Sequence, residues 1–485
     1  MMRLGPWLLG VALAATQANS DDVFDLLIRG GRVVDPESAT DAVRDVAVKG
    51  GRIVRVSESP LAGRRVLDAK GLVVAPGFID LHQHGQNPEN DRLKVQDGVT
   101  TALELEIGVP EIEPFLKLRE GKALVNYGAS ASHPWARVAA WGGALPAATG
   151  QEILPAAGPA TDEAASEERV RAMQARLRGE LAKGALGIGV GINYTPGASR
   201  LEMIEIFRVA AERATPLWPH IRAAGYSEPG SSVESVGEVI AAAAVTGAPL
   251  HIVHINSMGL GQVFECMKMI EGARARGLDV TTEAYPYGWG MTMLNSALFN
   301  PGWRERMRID YSDLKLVATG EPLTKEKYDS LRAASAPVSV LVRGNPDERV
   351  DAVIRQPLVM IASDGFVSAG KGHPRTAGTY ARILKRYVRE QKSLTLMDAI
   401  RKMSLMPAQR LETATPQARS KGRIREGADA DIVVFDPETV ADQATYEDPV
   451  RPSTGFKYVL VGGVAVVDDG RLVGGVQPGR ALTGH

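Results

Sequence analysis

Two patterns of apolar positions divide the chain. Near its start, short runs alternate apolar and polar residues: Asp25-Leu-Leu-Ile-Arg, Gly31-Arg-Val-Val-Asp, Asp45-Val-Ala-Val-Lys and Arg52-Ile-Val-Arg-Val. A matching block returns near the end, in Asp431-Ile-Val-Val-Phe-Asp and Tyr458-Val-Leu-Val-Gly-Gly-Val-Ala-Val-Val. Gly-Gly, Asp-Pro and Asp-Gly pairs punctuate these runs, which predicts strands joined by tight turns. Neither block has a helical period. Together they predict one β-sandwich domain assembled from residues 21–75 and 422–485.

Between these blocks the period changes. Buried apolar runs begin at Leu72, Thr100, Ala123, Ala185, Leu217, Pro249, Asp279 and Leu358. Most are followed by amphipathic stretches, at Glu167–Lys183, Leu201–Arg213, Ser232–Thr246, Val263–Arg276, Tyr380–Glu390 and Leu396–Met403. Strands alternating with helices predict parallel βα units, and eight such strands fit an α/β (β/α)8 TIM barrel over residues 76–421. Residues 288–348 break the rhythm. They are expected to form an insertion over the barrel mouth, too charged and irregular to be core.

Composition narrows the reading. With 485 residues and a formal net charge of −1, the chain has no electrostatic reason to bind nucleic acid or an anionic membrane. The single cysteine, Cys266, excludes an intramolecular disulfide and a Cys-rich zinc module; its helical context suits a core or groove thiol. Arg3, the apolar run Leu8–Ala15, and small residues through Ala18 and Ser20 form a secretory leader pattern. Residues 1–20 are therefore expected to be a signal peptide, and the mature protein to be periplasmic or secreted. The run is too short to span a membrane, and no cysteine follows it to carry a lipid. Oligomeric state is left open.

Active sites of such barrels lie at the C-terminal ends of the strands. His82 and His84, two residues apart and so on one face, end the first strand. Glu106 ends the second, His220 and His254 end central ones, and Asp364 ends the last. Four imidazoles and two carboxylates at one rim can hold a divalent cation with an open coordination position. Such a cation acidifies water and polarises a carbonyl, and a neighbouring carboxylate can move the proton to a leaving amine. His251 faces away from His254 and reads as structural. His133 is open between substrate contact and packing, and Glu104 suits an outer partner or an internal ion pair.

With these residues assembled, the chain resembles the amidohydrolase superfamily over nearly its whole mature length. The resemblance rests on Pro76-Gly-Phe-Ile-Asp-Leu-His-Gln-His-Gly, His220, His254, Ser363-Asp364 and Gly427-Ala-Asp-Ala-Asp-Ile-Val-Val-Phe-Asp. Gly184-Ala-Leu-Gly-Ile-Gly-Val-Gly-Ile-Asn-Tyr-Thr-Pro-Gly-Ala, Tyr285-Pro-Tyr and His373-Pro-Arg-Thr-Ala-Gly-Thr are similar to N-acyl-D-amino-acid deacylases. The resemblance implies one or two zinc ions, held tightly by His220 and His254 and at a second position by His82 and His84. It implies Asp364 as general acid/base, and Tyr194, Tyr285 and Arg375 as contacts to the substrate's carbonyl and carboxylate.

The chain also departs from that pattern. Leu103-Glu-Leu-Glu-Ile-Gly stands where D-aminoacylases place a bridging cysteine, so Glu106 is expected to replace the thiolate, which relaxes the preference for zinc. No lysine lies in residues 185–193 to bridge two metals. Asn256 stands where relatives carry a lysine, leaving Arg222 or Arg375 to read the substrate carboxylate. The expected ligand is a small N-acyl amino acid. Two alternatives stand beside it: a dipeptidase or cyclic-amide hydrolase on the same scaffold, and an exported metal- or solute-binding module without activity.

Overall fold

Eight parallel strands follow one another in chain order: β1 (Phe78–Asp80), β2 (Val99–Val109), β3 (Asn126–Ser132), β4 (Ile188–Gly191), β5 (Leu217–His220), β6 (Leu250–Ile252), β7 (Val280–Ala284) and β8 (Val359–Ile361). They come from a computed structural model that describes residues 23–150, 154–334 and 337–485. The expected leader, residues 1–20, lies outside the described residues. Each strand bonds to the next, and β8 returns to the chain after β1 through a parallel bridge between Gln83 and Gly365. Asp80 reinforces this closure. Its carboxylate accepts from Ser363 N at 2.9 Å and Ser363 Oγ at 2.6 Å, and Lys94 Nζ lies 2.7 Å away. The expected barrel is borne out.

The helices begin where the sequence supplies caps. Ser166, Ser199 and Ser231 accept from the backbone N–H of Arg169, Glu202 and Glu234, starting the helices Glu167–Ala182, Arg200–Ala211 and Ser232–Thr246. Each cap is worth ~1 kcal/mol. β3 starts three residues later than the apolar run suggests, because Ala123 O instead accepts from Gly479 N at 3.0 Å.

The two chain ends meet in one β-domain, as expected. Val73–Pro76 pairs with Arg32 and Val33 on one side and with Ile432–Phe435 on the other. Nine strands are thereby hydrogen-bonded into one continuous sheet, around a core of residues such as Ile28, Val46, Val74, Ile432 and Leu460. The last residues leave this domain. Leu482 N donates to Tyr127 O at 2.7 Å, and its side chain is buried with Leu103, Leu186 and Trp218 at the base of the barrel.

The insertion departs from expectation. Trp289–Met293, Leu314–Leu316 and Ser339–Arg343 form an antiparallel sheet; Val340 within it is buried, as are Leu298, Phe299, Trp303 and Met307 of the insertion. The Trp303 and Tyr328 rings stack at 5.5 Å. Its charged residues face out, and its core positions are scattered over separate short elements, so no single window looks apolar.

Candidate metal and active site

The rim residues are brought together by strand ends and irregular backbone. Beyond β1, the His82 and His84 rings meet edge to face, with their Nε2 atoms 3.2 Å apart. On β2, Glu104 and Glu106 both turn inward where the pairing with β3 shifts register. Gly108, at φ +71°, allows that irregularity, because a Cβ there would lie 2.5 Å from Ser130 O. His254 and Asp364 hold φ values of +28° and +51°. Such conformations disfavour side chains by roughly 1–3 kcal/mol each and concentrate at functional positions.

Glu106 occupies the middle. Its Oε1 is 2.8 Å from His254 Nε2, and its Oε2 is 3.3 Å from His82 Nε2 and 3.2 Å from His84 Nε2. Asp364 Oδ1 is 3.5 and 3.3 Å from the same two nitrogens and 2.8 Å from Arg375 Nη2. Ligand atoms lie within 4.8 Å of one another in three overlapping groups: His82–His84–Glu106, His82–His254–Asp364 and Glu106–His220–His254. Imidazole nitrogens and carboxylate oxygens at this spacing fit a divalent metal such as zinc. Glu106 belongs to two of the three groups and joins the His82–His84 side to the His220–His254 side.

The imidazoles differ in what stands behind them. His82 Nδ1 faces Glu283 Oε1 at 2.6 Å, and His84 Nδ1 faces Glu104 Oε2 at 2.9 Å. His220 Nδ1 meets only the Ile221 carbonyl at 3.1 Å, and His254 Nδ1 has no partner among the described residues. Burial opposes charge on His82, but Asp364, Glu106 and Glu283 outweigh it and push its pKa up to about 10. Burial lowers His220 to about 4, leaving it a neutral ligand. Burial raises Asp364, yet Arg375 and His82 more than offset this and hold it well below the usual carboxylate range.

Arg375 and the tyrosines complete the site. The guanidinium lies over the Tyr285 ring at 4.5 Å, and its Nε and Nη1 have no partner among the described residues. The Tyr194 ring is tilted against that of His220, with centroids 4.7 Å apart, and its hydroxyl is 3.3 Å from Thr292 Oγ1. All line a cavity of about 970 Å³, counting the space open to solvent, whose roof is built from the insertion.

Arg222 is a correction. Its Nε and Nη2 are 2.8 and 2.6 Å from the Glu238 carboxylate, and it does not line the cavity. β5 ends at His220, and the turn that follows swings Arg222 toward the next helix. Asn256 is also diverted, donating to Tyr285 O at 3.0 Å. His133 resolves to packing, its Nε2 2.8 Å from Glu202 Oε1. His251 is structural yet connected to the site, its Nε2 3.2 Å from Glu283 Oε2. Glu283 was not singled out from the sequence. Its signal was a carboxylate within the buried strand Val280-Thr-Thr-Glu-Ala, which requires a partner.

The chain is similar to known proteins over most of its length. Residues 148–467 match the amidohydrolase family. An N-acyl-D-glutamate deacylase of Alcaligenes xylosoxydans xylosoxydans is 32% identical, covering 94% of this chain and 96% of the relative. A D-aminoacylase of the same organism is 32% identical over 95% and 97%. The crystal structure of an N-acyl-D-glutamate deacylase from Bordetella bronchiseptica, complexed with zinc and a phosphonate mimic of the tetrahedral intermediate, superposes with a TM-score of 0.80. It is 28% identical and covers 95% of this chain and 100% of that one. Strand-end histidines and carboxylates on a (β/α)8 barrel, a β-domain built from both termini, and these matches lead to one conclusion: the chain belongs to the amidohydrolase family, as a metal-dependent hydrolase.

Proposed function

We propose that the protein hydrolyses the amide bond of N-acyl-D-amino acids, releasing the amino acid and a carboxylate. The observation that carries this reading is Asp364, which bridges the two chemistries the reaction needs. Its Oδ1 faces the His82 and His84 Nε2 atoms at 3.5 and 3.3 Å and Arg375 Nη2 at 2.8 Å. His82, His84, Glu106, His220, His254 and Asp364 are the assigned metal ligands. A divalent ion bound there supplies water acidified to near neutrality and a polarised carbonyl.

The remaining steps belong to the chain. Asp364, ionised at neutral pH, accepts the water's proton and delivers it to the departing amide nitrogen. Arg375, with Nε and Nη1 unpartnered among the described residues, offers a cation and a hydrogen-bond donor to the substrate α-carboxylate. Tyr194 and Tyr285 flank the position of the scissile carbonyl. The D configuration is supported by the relatives, which are deacylases of N-acyl-D-glutamate and N-acyl-D-aspartate and a D-aminoacylase. A screen of paired N-acetyl-D- and N-acetyl-L-amino acids, with metal analysis of the same sample, tests the reading. Faster turnover across the L series would overturn it.

The basic start and apolar run of residues 3–20 support export, with the leader removed after Ala18 or Ser20. N-terminal sequencing of the mature chain tests this, and an intact Met1 on the exported protein would refute cleavage.

A further inference from the structure

The related deacylases divide over side chain, since two carry the names of acidic amino acids and one does not. The cavity wall bears on that choice. Resting on the deacylase reading above, we infer that this protein takes N-acyl amino acids with apolar side chains and rejects those with a second carboxylate.

Charge is the first observation. Among the described residues that line the cavity, Arg375 is the only Lys or Arg, and one of its donors is committed to Asp364. Its unpartnered donors, Nε and Nη1, lie on different edges of the guanidinium, and its single positive charge balances one carboxylate at most. Arg222, the other candidate, is held by Glu238 outside the cavity. A side-chain carboxylate entering beside the α-carboxylate would find no cation of its own, and it would approach Glu106 and Asp364, two buried acids that also line the cavity. An unpaired carboxylate taken from water is strongly disfavoured.

The wall itself is the second observation. Met258, Leu260, Met291, Met293, Leu298 and Met307 are among the lining residues, the last four contributed by the insertion. Apolar contact there favours hydrocarbon or thioether side chains. Methionines are unbranched and polarisable and repack around differently shaped partners, so the preference extends over several apolar side chains rather than selecting one.

The test compares the metal-loaded full chain on N-acetyl-D-methionine, N-acetyl-D-leucine and N-acetyl-D-phenylalanine with N-acetyl-D-glutamate and N-acetyl-D-aspartate. The acyl group is constant, so only the side chain varies. The apolar set is expected to exceed the acidic set by roughly 100-fold or more in kcat/KM. N-acetyl-D-glutamine, isosteric with glutamate but uncharged, is expected to fall between them. Acidic substrates turned over as fast as apolar ones would overturn the inference and leave the deacylase reading intact. Glutamine as slow as glutamate would overturn the charge argument. Turnover of none of the six would remove the deacylase reading, and this inference with it.

Discussion

Glu283 Oε1 lies 2.6 Å from His82 Nδ1, on the side of the ring opposite the converging Nε2 atoms. A carboxylate at that place orients the imidazole and strengthens it as a metal donor. Glu283→Gln is therefore expected to weaken metal binding at the His82–His84 position by roughly 10–100-fold, with the His220–His254 position unaffected. Zinc titration against a competing chelator resolves the two steps, and unchanged constants for both would refute the role.

The same pair sets a pH dependence for the metal-free protein. Burial disfavours charge on both groups, but the carboxylates around His82 raise it to about 10, and His82 and His251 lower Glu283 to about 2. Glu283's contribution is complete above its ordinary value of 4.5 and is lost as pH falls toward about 2. That of His82 is complete below 6.5 and is lost as pH rises toward about 10. The Tm of chelator-treated protein is expected to peak between these ordinary values, 4.5 and 6.5, and to fall on either side. Glu283→Gln is expected to flatten the acid flank, as thermal melts across pH will show.

Glu106 stands between the two ligand groups, one oxygen toward each. Glu106→Gln removes the shared negative charge, so both positions are expected to lose affinity by more than the roughly 100-fold upper range of an outer-partner loss. Metal content after dialysis and kcat should fall together. Near-normal metal content and rate would show that Glu106 is not a ligand.

Arg375 is expected to separate carboxylate recognition from chemistry. Arg375→Lys keeps a charge near Asp364 but gives up the planar, multi-donor guanidinium. On N-acyl amino acids kcat/KM should fall by about 30-fold or more, mostly through KM, as for a broken charge pair. On the corresponding uncharged α-amides the loss should shrink to a few-fold. An equal loss on both would place Arg375 in the chemistry alone.

Arg222 supplies the converse case. Its bidentate pair with Glu238 ties the loop after β5 to the helix Ser232–Thr246. Arg222→Met is expected to leave KM unchanged and to reduce stability by about 1 kcal/mol, read from denaturant melts. A raised KM would return Arg222 to the substrate site.

The metal-site candidates were readable in the sequence because each ends a short apolar run, and strand periodicity is a local property. His82 and His84 share a face by their spacing alone, and Glu106 follows the same rule against Glu104. Arg222 was put forward only to replace the lysine that Asn256 displaces, and no local pattern could test that. It stands two residues beyond His220, where β5 has stopped and the chain turns away from the rim. Glu283 left little trace, since its partner His82 is 201 positions away.

By itself the order of apolar and polar residues determined the barrel, the β-domain drawn from both ends, and the strand-end imidazoles. Burial and backbone period act over a few residues and are written in each segment. Tertiary structure alone decided that Glu283 backs His82 and Glu104 backs His84, that Glu106 reaches His254 across 148 positions, and that Arg375 rather than Arg222 faces the cavity. These are contacts between distant segments, and their ångström-scale geometry exists only once β8 has closed on β1.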